Sequence, residues 1–227
     1  MSRVIKKNFI VIEGIDGTGK TQACKKAAEL LQHMEHGVTS YYRNEPSYGP
    51  IGKVIRDIIS DNSCIPADAA ILARLYAADR LVNLNVIDYL LDVPENQVAI
   101  AICDRYMYSS MAYQHNDIDV VMDQNKEFPE PELCIWLTCE IEEALSRSRN
   151  RPNEPAQIFE KKEILLKHQD LYRQILPKGT EIINTTNLTE EEVAFKVAGM
   201  IFDRIIKPQL PKDSKFVFTM PPAYVRK

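Results

Sequence analysis

The stretch Phe9-Ile10-Val11-Ile12-Glu13-Gly14-Ile15-Asp16-Gly17-Thr18-Gly19-Lys20-Thr21 decides the fold. Its first four residues form an uninterrupted apolar run, short enough for a parallel strand buried on both faces. Gly14-x-x-x-x-Gly19-Lys20-Thr21 follows directly, with the spacing of a phosphate-binding loop. Glycines let such a loop curl until successive N–H groups point inward at phosphate oxygens. Beyond it, Ala23, Ala27, Leu30, Leu31 and Met34 recur at helical spacing, and Gly37 is suited to end that helix. A helix opening near Lys20 turns its positive dipole end towards the same anion. Gly14, Ile15, Asp16, Gly17, Thr18, Gly19, Lys20 and Thr21 are therefore the expected nucleotide cradle. Lys20 would neutralise β- and γ-phosphates, and the Thr21 hydroxyl would ligate Mg²⁺. The chain has eight glycines and spends three of them here. A nucleotide is implied, though not yet a reaction.

Strand and helix patterns alternate through the rest of the chain. Val38 to Tyr42 reads as a strand broken by Asn44-Glu45-Pro46, and Ile51, Val54, Ile55, Ile58 and Ile59 as a helical stripe. A helix runs from Pro66 towards Leu91, stopped by Pro94. Val98 to Cys103 is a second fully apolar strand, followed by Asp104-Arg105-Tyr106 and more helix. Leu133 to Leu137 and Glu181 to Ile183 complete the strands, and Thr189 with Glu192 forms a capping box opening a last helix. Such alternation predicts an α/β fold in three layers, a parallel five-stranded sheet flanked by helices. Residues 1–207 form the expected domain. The proline-rich segment 208–227 is read as a flexible tail, with Phe216-Val217-Phe218 as an alternative edge strand or contact segment.

Composition narrows the function classes. The 227 residues are 45% hydrophobic and 26% charged, which excludes collagen-like, disordered and disulfide-scaffold chains. A net charge of −4 gives no global basic field for nucleic acid. The five cysteines, Cys24, Cys64, Cys103, Cys134 and Cys139, show no metal-binding spacing and fit reduced thiols in a cytoplasmic protein. No apolar run approaches a membrane span, and the basic stretch Met1 to Asn8 leads into no secretory core.

A GTPase switch would need D-x-x-G after the first strand and N-K-x-D for guanine. No later aspartate precedes glycine by three, and Asn125-Lys126 continues as Glu127-Phe128. What stands instead resembles the thymidylate kinase family. The resembling segments, in order, are the loop with Asp16, Arg43-Asn44-Glu45-Pro46, Pro50-Ile51-Gly52, Ile55-Arg56, Leu75 to Arg80, Asp104-Arg105-Tyr106 through Tyr113-Gln114, and Pro131-Glu132-Leu133. They span roughly Asn8 to Ile205. The resemblance implies Mg²⁺-dependent transfer of the ATP γ-phosphoryl group to dTMP, in a homodimer built on helices such as Asp68 to Leu91.

It also implies roles for individual residues. Arg105 would grip the dTMP phosphate, the alternative being a structural pair with Asp104. Asp104 would act on Mg²⁺, directly or through water. Asp16 would hold the sugar 3′-hydroxyl, or stand as a solvated loop acid. Tyr76, where the family usually has phenylalanine, would stack on thymine, or serve the core. Arg80 would reach base or phosphate, or form a surface ion pair. Ser110 and Gln114 would lie near the base edge, and Tyr113 would crowd a 2′-hydroxyl; ordinary helix positions are their alternative. Arg43, Glu45, Pro46 and Arg56 complete the implied dTMP site. Residues 147–160 match the lid. Gly17 stands where one subclass carries an assisting arginine, so Arg149 and Arg151 are implied to assist transfer from the lid, or else to be a solvated basic helix end. Two departures stand out: Asn44 replaces the arginine before Glu-Pro, and Ile158 replaces the last lid arginine. The rival readings are a deoxynucleoside kinase with Glu45 as base, and a non-catalytic nucleotide-binding subunit.

Overall fold

A computed structural model describes residues 7–33, 38–60, 68–114, 118–149, 162–211 and 218. Strands β1 (Phe9–Glu13), β2 (Val38–Asn44), β3 (Val98–Asp104), β4 (Leu133–Thr138) and β5 (Glu181–Asn184) form one sheet in the order β2-β3-β1-β4-β5. Every pairing is parallel. The helices are α1 (Lys20–Gln32), α2 (Pro50–Ile59), α3 (Ala69–Leu91), α4 (Met107–Tyr113), α5 (Ile118–Asn125), α6 (Ile141–Arg149), α7 (Lys162–Ile175) and α8 (Glu190–Ile201).

The continuous apolar strands conceal a two-residue alternation, because successive side chains leave opposite faces of the sheet. Ile10, Ile12, Ile100, Ile102, Ile135 and Leu137 pack beneath α1 and α8. Phe9, Val11, Ala101, Cys103, Cys134 and Trp136 face α3, α4, α6 and α7 through residues such as Leu84, Ile87, Ala144 and Tyr172. Burying one such isoleucine contributes about 1.5–3 kcal/mol, so both helical layers are held chiefly by apolar area.

Local chemistry sets the boundaries. Helix α3 starts at Ala69 rather than at Pro66, because the Asp68 carboxylate accepts the N–H groups of Ala70 at 2.9 Å and Ile71 at 3.0 Å. Pro66, Gly37 and Cys64 lie outside the described residues. The Thr189–Glu192 capping box is present in both directions. After α8 the chain widens into a π-helical turn, Phe202–Ile206, and then tightens into a 3₁₀ turn, Lys207–Gln209. Phe218 stacks 4.9 Å from Phe195 and 5.8 Å from Phe202, so this one residue makes a contact with the domain. Phe216 and Val217 lie outside the described residues. The four described cysteines are free and buried. Among the described residues, no helix is long and apolar enough to cross a membrane.

Three strand ends converge where the sheet order reverses around β1. The Arg105 N–H donates to the Ile12 carbonyl at 3.0 Å, and the Glu45 N–H to the Asp104 carbonyl at 3.0 Å. Open parallel sheets bind ligands at such carboxyl ends.

Candidate active site

The loop between β1 and α1 is shaped by what surrounds it. Gly17 has φ +86°, and a Cβ there would lie 2.2 Å from the Ala144 carbonyl oxygen of α6. A Cβ on Gly14 would lie 2.3 Å from the Leu137 carbonyl oxygen. At the start of α1 no side chain caps the helix and no acid occupies the first turn, which leaves its N–H groups open to an anion. Lys20 is buried and donates to the Ile15 carbonyl at 2.7 Å, with Asp16 Oδ1 at 4.0 Å. Burial and the Arg105 charge push the Lys20 ammonium down to about 8, against the pull of Asp16, Asp104 and Glu13.

Thr21 donates its hydroxyl to Asp104 Oδ2 at 2.5 Å, while Asp104 Oδ1 is buried with no hydrogen-bond partner. A hydroxyl beside an orphaned carboxylate oxygen fits a hard divalent cation that takes most of its ligands from phosphate and water. The described residues include no cluster of three or more His, Cys, Asp or Glu that could cage a metal alone.

Arg105 follows β3 in a left-handed conformation, φ +72°. Its guanidinium forms a salt bridge with Asp16, donates to Ser109 Oγ at 3.0 Å and reaches the Tyr113 hydroxyl at 3.4 Å. The Asp104–Arg105 structural pair is not formed; Asp16 takes the arginine instead. The Tyr113 hydroxyl donates to Asp16 Oδ2 at 3.4 Å, and its ring lies 4.1 Å from that of His168. Helix α4 thus brings Ser109 and Tyr113, spaced i and i+4, onto the arginine.

The other wall is α3. Arg80 is buried in an ion pair with Glu45 at 2.6 Å, not at the surface. It also donates to Ser110 Oγ at 3.0 Å and to Asn125, between the rings of Tyr106 and Phe128. Asp79 turns elsewhere, accepting the Ser47 N–H and hydroxyl at 2.6 Å each. Burial pushes the Glu45 carboxyl up to about 7 against the pull of Arg80, and Glu45 Oε1 has no partner. Tyr76, one turn before Arg80, is half-buried; burial pushes its hydroxyl up to about 12 against Arg105 and Arg80. Gln114 is buried and its Oε1 is likewise without a partner.

Arg43 donates to Asn83 of α3 at 2.8 Å. Asn44 and Arg56 both donate to the Pro46 carbonyl, at 2.7 and 2.8 Å, and so tie down the turn after β2. Sequence reasoning gave no role to Glu13, Asn83, Ser109 or Asn125. Glu13 carried a visible signal, a carboxylate ending an apolar strand; the others are ordinary helix residues until the fold assembles them.

The thymidylate kinase family model matches residues 12–197. The chain belongs to the thymidylate kinase family. A probable thymidylate kinase of Methanococcus aeolicus is 39% identical over 87% of this chain and 97% of its own length. One of Methanocaldococcus jannaschii is 34% identical over the same shares. The thymidylate kinase structure from Candida albicans superimposes with a TM-score of 0.72 at 24% identity, over 92% of this chain and 96% of that one, and shares the fold. At Gly17, the Ala144 carbonyl leaves no room for a side chain. Of the segment expected to form a lid, the structure describes only the end of α6, at Arg149. The Arg149 side chain, Arg151 and Ile158 lie outside what the structure describes. Arg147 is bound to Glu143 and to Thr185 of the loop after β5.

Proposed function

We propose that this chain transfers the γ-phosphoryl group of ATP to dTMP, giving dTDP and ADP. The observation that carries the reading is Arg105, held by Asp16 and Ser109 at the end of β3 beside the phosphate loop, in a chain of this family. The nucleophile is a phosphate oxygen already ionised at neutral pH, so the protein needs no strong base. It must bring two polyanions together and exclude water. Gly14 to Thr21 and the open end of α1 cradle the ATP phosphates, with Lys20 on the transferring group. Arg105 grips the acceptor phosphate, which suits a bidentate guanidinium. Asp16 takes the 3′-hydroxyl and Tyr113 fills the space of a 2′-hydroxyl. Tyr76 stacks on thymine, and the unpartnered Oε1 of Gln114 accepts the thymine N3–H near Ser110 and Arg80. Glu45, Pro46, Arg43 and Arg56 shape the pocket floor.

Thr21 and Asp104 would hold Mg²⁺, which would supply positive charge to offset that of the ATP phosphates. Lid arginines Arg149 and Arg151 close over the transferring group; replacing both with alanine lowers kcat about 100-fold or more with the KM for dTMP kept. The working unit is a cytoplasmic homodimer joined along α3, where Leu81, Val82 and Tyr89 are exposed. Sedimentation of Val82→Glu as a monomer beside a dimeric parent would bear this out.

The deoxynucleoside kinase reading would use Glu45 as base. Burial raises its carboxyl to about 7 in spite of Arg80, but its Oε2 is engaged by that arginine in a buried ion pair. A coupled ADP-release assay decides between them: turnover with dTMP and none with thymidine is expected, and the reverse pattern would overturn the proposal.

A further inference from the structure

Glu13 is buried under the loop with four donors converging on it, yet no step above uses it. Its Oε1 accepts the Tyr106 N–H at 2.9 Å and the Ser109 N–H at 3.2 Å. Its Oε2 accepts the Ser109 hydroxyl at 2.7 Å and the Tyr172 hydroxyl at 3.0 Å. These partners come from the turn after β3, from α4 and from α7. A buried carboxylate is expensive, and a bare structural cap would be met by a neutral side chain. Two of the four bonds do what a cap alone does not require: one holds the peptide N–H that follows Arg105, and the other holds the hydroxyl that accepts from its guanidinium.

We infer that Glu13 is the positioning residue for Arg105, fixing its backbone through Tyr106 and its side chain through Ser109. This rests on the reading that Arg105 grips the acceptor phosphate. The backbone half acts on the next peptide: Arg105 sits at φ +72°, a region unfavourable to a side-chain-bearing residue, and the Tyr106 N–H immediately after it is taken by Glu13. The side-chain half is a matter of proton direction. The Ser109 hydroxyl has one proton, and donating it to Glu13 Oε2 leaves its lone pairs for Arg105 Nη1 at 3.0 Å. The fork of Arg105 is then held from two sides, by Asp16 and by Ser109. Because Glu13 ends β1 at the residue before Gly14, the strand that launches the ATP loop also sets the dTMP-phosphate arginine. Tyr172, 2.8 Å from Ser109, extends the same network to α7.

The test is a double-mutant cycle read by calorimetric binding of dTMP and, separately, of ATP. Glu13→Gln keeps the shape and removes the charge, and Ser109→Ala cuts the link while leaving both backbone bonds to Glu13. Each is expected to weaken dTMP binding about 5- to 20-fold, less than the loss of a direct charge-assisted bond because both act through Arg105, with ATP binding within twofold. In an Arg105→Ala background neither should weaken dTMP further. Equal losses in both backgrounds, or equal losses of ATP and dTMP affinity, would overturn the assignment. If Arg105→Ala itself left dTMP binding unchanged, the reading of Arg105 would be what failed.

Discussion

Asp16 of the phosphate loop and Arg105 of the turn after β3 form a part-buried salt bridge, although 89 residues separate them in sequence. The bridge joins the ATP-side loop to the proposed grip on the acceptor. It also holds the guanidinium in one orientation before any acceptor arrives, which reduces the ordering needed on binding.

Replacing Arg105 with alanine should lower kcat/KM for dTMP about 100- to 1000-fold, the scale of a lost charge-stabilising donor. The KM for ATP should change by less than about threefold. Lysine should not restore activity, since a point charge cannot keep Asp16 and Ser109 engaged while gripping phosphate. Steady-state kinetics with each substrate varied in turn checks this.

Gly17 offers a steric prediction. Its positive φ and the 2.2 Å approach to the Ala144 carbonyl mean that even Gly17→Ala must move α6 or the loop. Stability should fall by about 1–3 kcal/mol, measured by urea unfolding. Gly17→Arg should be worse and should not rescue a protein lacking the lid arginines.

Lys20 gives a pH signature. Burial brings its ammonium down to about 8 in the free protein, whereas ATP phosphates favour the charged form. Binding at about pH 9 should therefore take up a proton, and ATP affinity should decline as pH rises through about 8. Calorimetry in buffers of different ionisation enthalpy reads the uptake directly; Lys20→Met should abolish it.

Much of this was legible in the sequence, for identifiable reasons. The apolar run Phe9 to Ile12 and the glycine spacing after it announce a buried strand and its loop through local rules alone. The Thr189–Glu192 cap is equally local, and it appears as expected. Arg80 was not legible in the same way. Its partner Glu45 lies 35 residues earlier, in the turn just after β2, and nothing in either segment distinguishes a buried pair from a surface one. The same holds for Asn83 under Arg43 and for Ser109 between Glu13 and Arg105, whose roles exist only once α3 and α4 pack on β3.

Phe218 tests the far end of the chain. Its ring lies over Gly199 and between Phe195 and Phe202, on the α1–α8 side of the sheet. Phe218→Ala should cost about 1–2 kcal/mol of stability while leaving kcat unchanged, because α3 and α4 lie on the opposite face. Thermal melts beside turnover numbers separate the two effects.

The central claim, transfer from ATP to a nucleoside monophosphate, is tested most directly by following the label of γ-labelled ATP in the presence of dTMP and Mg²⁺. The label should appear at the β-phosphate of dTDP, in step with ADP. Label released only as inorganic phosphate, or incorporated only when thymidine replaces dTMP, would contradict it.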